Sequence, residues 1–112
     1  VFSSIALLKF VETKQLSIAG TICGCTPAFT AMYLEALSDA GVLYGLSRSD
    51  AYEMSAMMLM GTGMLYLEEK QHPGMMKDAV CSPGGTTIKG VAQLEKSGFR
   101  SAIIEAIQMI EG

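Results

Sequence analysis

The residues best suited to chemistry lie at 82–89, Ser-Pro-Gly-Gly-Thr-Thr-Ile-Lys. Two glycines and then two threonines stand where a loop turns into a helix. Gly84 and Gly85 let the backbone approach a ligand with no Cβ in the way. A helix opening at Thr86 and Thr87 leaves its first N–H groups without intrahelical acceptors, and the helix dipole adds partial positive charge there. Amides near 85–87 and two hydroxyls would then converge on one point, which suits an anion such as a carboxylate. The Gly-Lys-Ser/Thr of a nucleotide phosphate loop is absent. The same residues also read as an ordinary turn with a threonine N-cap.

Two other constellations are weaker. Cys23, Cys25, Cys81 and His72 have the residue types of a three-cysteine, one-histidine zinc site. Their spacing contains no Cys-x-x-Cys pair, so the expectation is free thiols and no metal. His72 stands before Pro73 in a turn and reads as a loop-stabilising hydrogen-bond former. Glu35 and Asp39, four apart on one helix, could form a carboxylate pair. A solvated helix face or a cap-directed hydrogen bond is the simpler reading.

The elements around these residues are helical. The 112 residues make one domain. Half of them are hydrophobic and only 17% are charged, which is apolar for a small monomer and predicts a subunit interface. Nine methionines against four phenylalanines and no tryptophan suit irregular helix–helix contacts. The net charge is −3 with scattered basic residues, so no stripe could track phosphates and nucleic acid is excluded as a partner. The uncharged run 54–67 is too short to cross a bilayer. Residues 1–10 lack a basic start and a small-residue cleavage site, and the three cysteines fit a reducing compartment. The expectation is a cytoplasmic protein, and a chain opening on valine reads as a fragment or a processed product.

Residues 1–8 read as a helical turn or two, 9–13 as an extended strand, and 20–26 as a small-residue loop. Thr26-Pro27 reads as a helix start, with Thr26 as cap. That helix runs to about Tyr44, with Phe29, Met32, Ala36, Leu37, Ala40 and Leu43 as its stripe and Gly45 as its stop. Ser47-Arg-Ser-Asp50 resembles a capping box opening a helix over 48–69. Around Met57 to Met60 this helix is apolar on nearly every side, and Gly61 and Gly63 would admit another helix closely. Shorter helices follow at 75–80, 87–97 and 100–110, with Gly98 as a C-cap and Ile103, Ile104, Ile107 and Ile110 as a buried stripe.

One ordered pattern goes further. Gln71-His72-Pro73-Gly74, Lys77-Asp78, Ser82-Pro83-Gly84-Gly85-Thr86-Thr87-Ile88, Leu94-Glu95 and Gly98-Phe99-Arg100 together resemble the C-terminal domain of the pyrroline-5-carboxylate reductases. Glu35-Ala36-Leu37-Ser38-Asp39-Ala40 and Gly45-Leu46-Ser47-Arg48 look like that family's first long helix and the turn after it. The resemblance covers nearly everything from Gly20 onward. It implies an all-α helical bundle of the 6-phosphogluconate-dehydrogenase C-terminal-like type at 20–112. Residues 1–19 would be the tail of a preceding Rossmann cofactor domain, including a short extended segment.

The resemblance also implies a function. The family reduces Δ1-pyrroline-5-carboxylate to L-proline, the last step of proline biosynthesis, with hydride from NADPH or NADH held mainly by the other domain. It implies an interlocked homodimer, and in many members a ring of five dimers. Val80, Ser82, Gly85, Thr86 and Thr87 would line the substrate pocket. Amides of Gly85 and Thr86 would hold the carboxylate, and the Thr87 hydroxyl, the catalytic candidate, would lie near the ring nitrogen. Alone, the chain would be inactive.

One segment departs from the family. Where members usually have Ser-Gly-Ser-Gly-Pro-Ala-Tyr, this chain has Cys23-Gly24-Cys25-Thr26-Pro27-Ala28-Phe29. Two hydroxyls become thiols, a glycine becomes threonine and a phenol is lost. The β-hydroxyacid dehydrogenases share a two-domain plan but carry a catalytic lysine and an asparagine on the first long helix. Residues 27–44 contain neither. The remaining alternative is a purely structural helical oligomerisation module.

Overall fold

The computed structural model describes residues 15–112, and among them every regular element is helical. The expected helical turn at 1–8 and strand at 9–13 lie outside the described residues. The chain divides into two compact units, one made of residues up to Met58 with Ile107–Gly112, the other Leu59–Ala106.

In the first unit, helix α1 (Leu16–Gly20) passes into a π-helical turn, Thr21–Cys25, and on into α2 (Thr26–Leu43). The loop expected at 20–26 is therefore corrected to continuous helix. Gly20 and Gly24 each disfavour a helix by about 1 kcal/mol relative to alanine, which is why the segment reads as a loop. One backbone and one side-chain hydrogen bond offset that cost. The Thr26 N–H reaches back five residues to the Thr21 carbonyl, and the Thr26 hydroxyl donates to the Ile22 carbonyl. Thr26 is thus not the N-cap, a second correction: position 25 is already helical, so the chain arrives with no turn to cap. Pro27 has no N–H to return to the preceding turn, and the wider π-turn beside it absorbs that gap.

α2 ends as its sequence dictates. Gly45 takes a φ of +105°, which a side chain would oppose. Its N–H bonds the Val42 carbonyl and the Leu46 N–H bonds the Gly41 carbonyl, both at 3.0 Å, a Schellman closure. Helix α3 (Arg48–Glu69) opens with the Ser47 hydroxyl accepting the Asp50 N–H at 3.1 Å. Across this corner Arg48 pairs with Asp39 at 2.7 Å and lies over the Tyr52 ring. The hydrogen bond to Asp39 raises the Arg48 pKa further above its ordinary value. A Cβ on Gly41 would stand 3.3 Å from the Ala51 Cβ and 3.2 Å from Leu46 Cδ1, so the corner is closely packed.

α3 ends at Lys70, whose φ of 54° puts a non-glycine residue in the left-handed region. In the second unit, α4 (Pro73–Ala79), α5 (Thr86–Lys96) and α6 (Phe99–Glu111, whose last turn returns to the first unit) follow. His72 caps α4 by accepting the Gly74 N–H on Nδ1 at 2.9 Å, the loop-stabilising role its position suggested. Gly98, at φ +77°, separates α5 from α6, as expected of a C-cap glycine.

Very little is buried. Among the described residues only Ala51, Thr21 and Ser38 are fully enclosed. The α2 stripe is open, with Leu43 78% exposed, and α3 shows Met57 and Met60 each at 62%.

Candidate functional site

The site is built on the path from α4 to α5. As α4 ends, the Val80 N–H bonds the Lys77 carbonyl at 3.2 Å and the Cys81 N–H bonds the Asp78 carbonyl at 3.0 Å. These bonds set the direction in which residues 82–85 leave. Pro83 suits the second position of a type II turn, and Gly84 takes the positive φ, +69°, that the third position requires. The Gly85 N–H closes the turn on the Ser82 carbonyl at 3.0 Å. Residue identity and turn geometry match at every step.

Gly85 is then the N-cap of α5, extended at φ −76°, ψ −179°, and no side chain caps the helix. A threonine cap is not formed: Thr86 is the first helical residue. The amides of Thr86, Thr87 and Ile88 open the helix without an intrahelical acceptor. This corrects one detail of the expectation. The Gly85 N–H belongs to the turn, so the free donors begin at Thr86 and extend to Ile88, which sequence reasoning missed. The signal was present, since a Ser-Pro-Gly-Gly type II turn consumes the amide of its fourth residue.

Gly85 has a steric reason to lack a side chain. A Cβ there would run into the Ser82 Oγ and stand 3.2 Å from the Ser82 carbonyl oxygen. The turn packs the Ser82 side chain against Gly85, where only glycine fits, and the two residues form one wall of a cradle beside the helix opening. The side chains of Ser82, Thr86 and Thr87 are exposed and Val80 is 65% exposed. The structure therefore brings Ser82 and Gly85 together at the opening of α5, with Thr86 and Thr87 in its first turn and Val80 two residues ahead of Ser82.

A separate open cleft of about 360 Å³ lies among α4, α5 and α6, lined by Lys77, Val91, Leu94, Glu95, Phe99 and Arg100. It includes none of the five expected site residues. Its rim holds the Arg100–Glu95 ion pair at 3.0 Å. The three cysteines are free thiols, and no cluster of three histidine, cysteine or acidic side chains forms among the described residues. Asp39 pairs with Arg48 rather than with Glu35. No described helix is long and apolar enough to cross a membrane.

Among the described residues every regular element is helical and little is buried, which defines a helical association domain. The sequence matches the pyrroline-5-carboxylate reductase dimerisation family over residues 13–111, and the chain belongs to that family. It is 49% identical to the pyrroline-5-carboxylate reductase of Treponema pallidum over 108 residues, 96% of this chain and 41% of that protein. It is 50% identical to that of Escherichia coli over 86 residues, 77% of this chain and 32% of that protein. Among solved structures, the reductase of Streptococcus pyogenes superposes with a TM-score of 0.86 at 31% identity, covering 89% of this chain and 39% of that one. The NADP-bound reductase of Plasmodium falciparum gives 0.84 at 33% identity, covering 89% of this chain and 38% of that one. The chain thus spans about two fifths of the length of such relatives. It is a C-terminal domain of this kind of enzyme and a domain of self-association.

Proposed function

We propose that this chain is the part of a pyrroline-5-carboxylate reductase that forms the dimer and holds the substrate's carboxylate. Residues 20–112 make that domain and residues 1–19 are the tail of the cofactor domain. The observation that carries the reading is the α5 opening: Gly85 is the N-cap, and no side chain makes a capping hydrogen bond there. The substrate carboxylate sits on the Thr86 and Thr87 amides, with the Ile88 amide beside them, where the helix dipole favours negative charge. Gly85 and Ser82 shape the cradle wall and Val80 supplies an apolar side.

The Thr87 hydroxyl, one residue into the helix, hydrogen-bonds near the ring nitrogen and fixes the orientation of the C=N bond. NADPH or NADH, when bound, supplies the hydride. The described residues contain no strand followed by a glycine-rich turn, so none of them is assigned to the dinucleotide. Hydride adds to the imine carbon, the nitrogen carries the proton, and the product is L-proline. The protonated imine is already electrophilic, so the task of this domain is to hold the ring in one pose. The working assembly is an interlocked homodimer, five of which form a ring, in the cytoplasm.

The test is steady-state kinetics on the full-length enzyme. Thr87→Ala removes one hydrogen bond near a charged ligand, a loss of about 1.5–3 kcal/mol, so kcat/KM falls roughly ten- to a hundredfold. Gly85→Val falls further, because its side chain would displace Ser82 at the helix opening. Wild-type kcat/KM in both variants would mean that the turn is only structural.

A further inference from the structure

The far end of α6 makes a contact that the proposed chemistry does not use. Glu111, in the last turn of α6, accepts the Thr21 hydroxyl on Oε2 at 2.6 Å. It also accepts the Ser17 hydroxyl, at 3.0 Å on Oε1 and 3.2 Å on Oε2. One carboxylate thus ties the end of α6 to the π-turn and to α1, 90 and 94 positions away in sequence. A carboxylate at a helix C-terminus opposes the helix dipole, so its own helix does not favour it there. The offset comes from the two hydroxyl donors, and the Thr21 bond has the short length of a charge-assisted one. Thr21 is only 6% exposed, one of the few enclosed side chains in the chain. It is also the acceptor residue of the π-turn, through its carbonyl to the Thr26 N–H. Segments of π-helix are rare and are frequently found at functional sites.

We propose that Glu111 is a positioning residue. By holding Ser17 and Thr21 it fixes the path of α1 through the π-turn, and so the direction in which the chain enters this domain. The inference rests on the reading that this domain follows a cofactor-bearing one, because that direction sets the pose of the preceding domain. Hydride transfer is sensitive to such a pose, while carboxylate binding at the α5 opening is not. Loosening the contact therefore lowers turnover and spares substrate affinity. A defect of the cradle itself would raise KM instead.

The experiment compares Glu111→Ala, Glu111→Gln, Thr21→Val and the Glu111→Ala/Thr21→Val double variant in the full-length enzyme. Glu111→Ala is expected to lower kcat about tenfold with substrate KM within about twofold of wild type. Thr21→Val gives a smaller drop in the same direction, since Ser17 remains. The double variant is no slower than Glu111→Ala alone, because the two residues act through one contact. Glu111→Gln retains an acceptor oxygen and recovers part of the loss. Hydrogen exchange at amides 17–26 is the second readout, and it accelerates about tenfold in Glu111→Ala whatever the enzyme reduces. An inactive wild type would remove the proposed function, and exchange would then decide on the contact by itself. Unchanged exchange in Glu111→Ala, additive losses in the double variant, or a raised KM with kcat intact would overturn the proposal.

Discussion

Helix α3 and the turn at 82–87 differ in how much of their structure they supply themselves. The turn is closed by its own backbone, with the Gly85 N–H on the Ser82 carbonyl, and each residue type is the one its position requires. By contrast, α3 carries Met54, Met57, Met60, Met64 and Leu67 at the surface, each at least half exposed. Apart from the helix's own backbone and their chain neighbours, no described atom stands within 4 Å of where a Cβ on Gly61 or Gly63 would lie. Two glycines mid-helix cost about 1 kcal/mol each, and no packing against them among the described residues offsets that cost. The comparison teaches that this domain encodes its binding geometry locally and its stability non-locally. A dimerisation domain associates with itself, and the open face of α3 is the surface we propose for that contact.

The comparison can be broken most severely at α3. Met57→Asp with Met60→Asp places two carboxylates in the subunit interface. Burying each unpaired costs several kcal/mol, so the dimer is lost, and because so few of the described residues are buried, helicity falls with it. Sedimentation and circular dichroism measure both. Wild-type assembly would show that this face is free in the dimer.

A smaller effect is expected at the turn, and it should stay local. Gly85→Ala drives its Cβ into the Ser82 Oγ. The expected loss is about 1–2 kcal/mol of stability, partly recovered by adding Ser82→Ala. Thermal unfolding of the single and double variants measures it, and purely additive losses would deny the close approach.

The α2–α3 corner offers a gain. The Ser38 hydroxyl is fully buried with no partner among the described residues. Ser38→Ala removes an unsatisfied polar group from a site where alanine fits, and should stabilise the protein by about 1 kcal/mol. A loss of stability on denaturant unfolding would reveal a partner for that hydroxyl. Smallest of all, Arg48→Lys exchanges one exposed ion-pair donor for another, and unfolding in low and high salt should barely distinguish it from wild type.

How much the sequence revealed follows the same division. The stop at Gly45, the capping box at Ser47 and the turn at Ser82 were legible because each rests on residues within five positions of one another. The bounds of α3 could be read directly, and those of α2 nearly so. The π-turn was not legible. Gly20, Gly24 and Thr26-Pro27 carry loop and cap signals, and what overrides them includes the Thr26 hydroxyl on the Ile22 carbonyl and the Thr21 contact to Glu111. The second of those partners lies at the far end of the sequence. The Ile88 amide was missed because the turn was read for its side chains rather than for where each backbone donor goes. The α2 stripe at Phe29, Met32 and Leu43 was correctly seen as apolar, but pattern alone does not say whether the covering surface belongs to the same chain.

The central claim is that the apolar surface left open by this chain belongs to a second copy of it. Sedimentation equilibrium of the chain at micromolar concentration tests it most directly. The account predicts a single species of twice the 11.9 kDa chain mass, with the helical content of the structure. A stable, fully helical monomer at that concentration would contradict it.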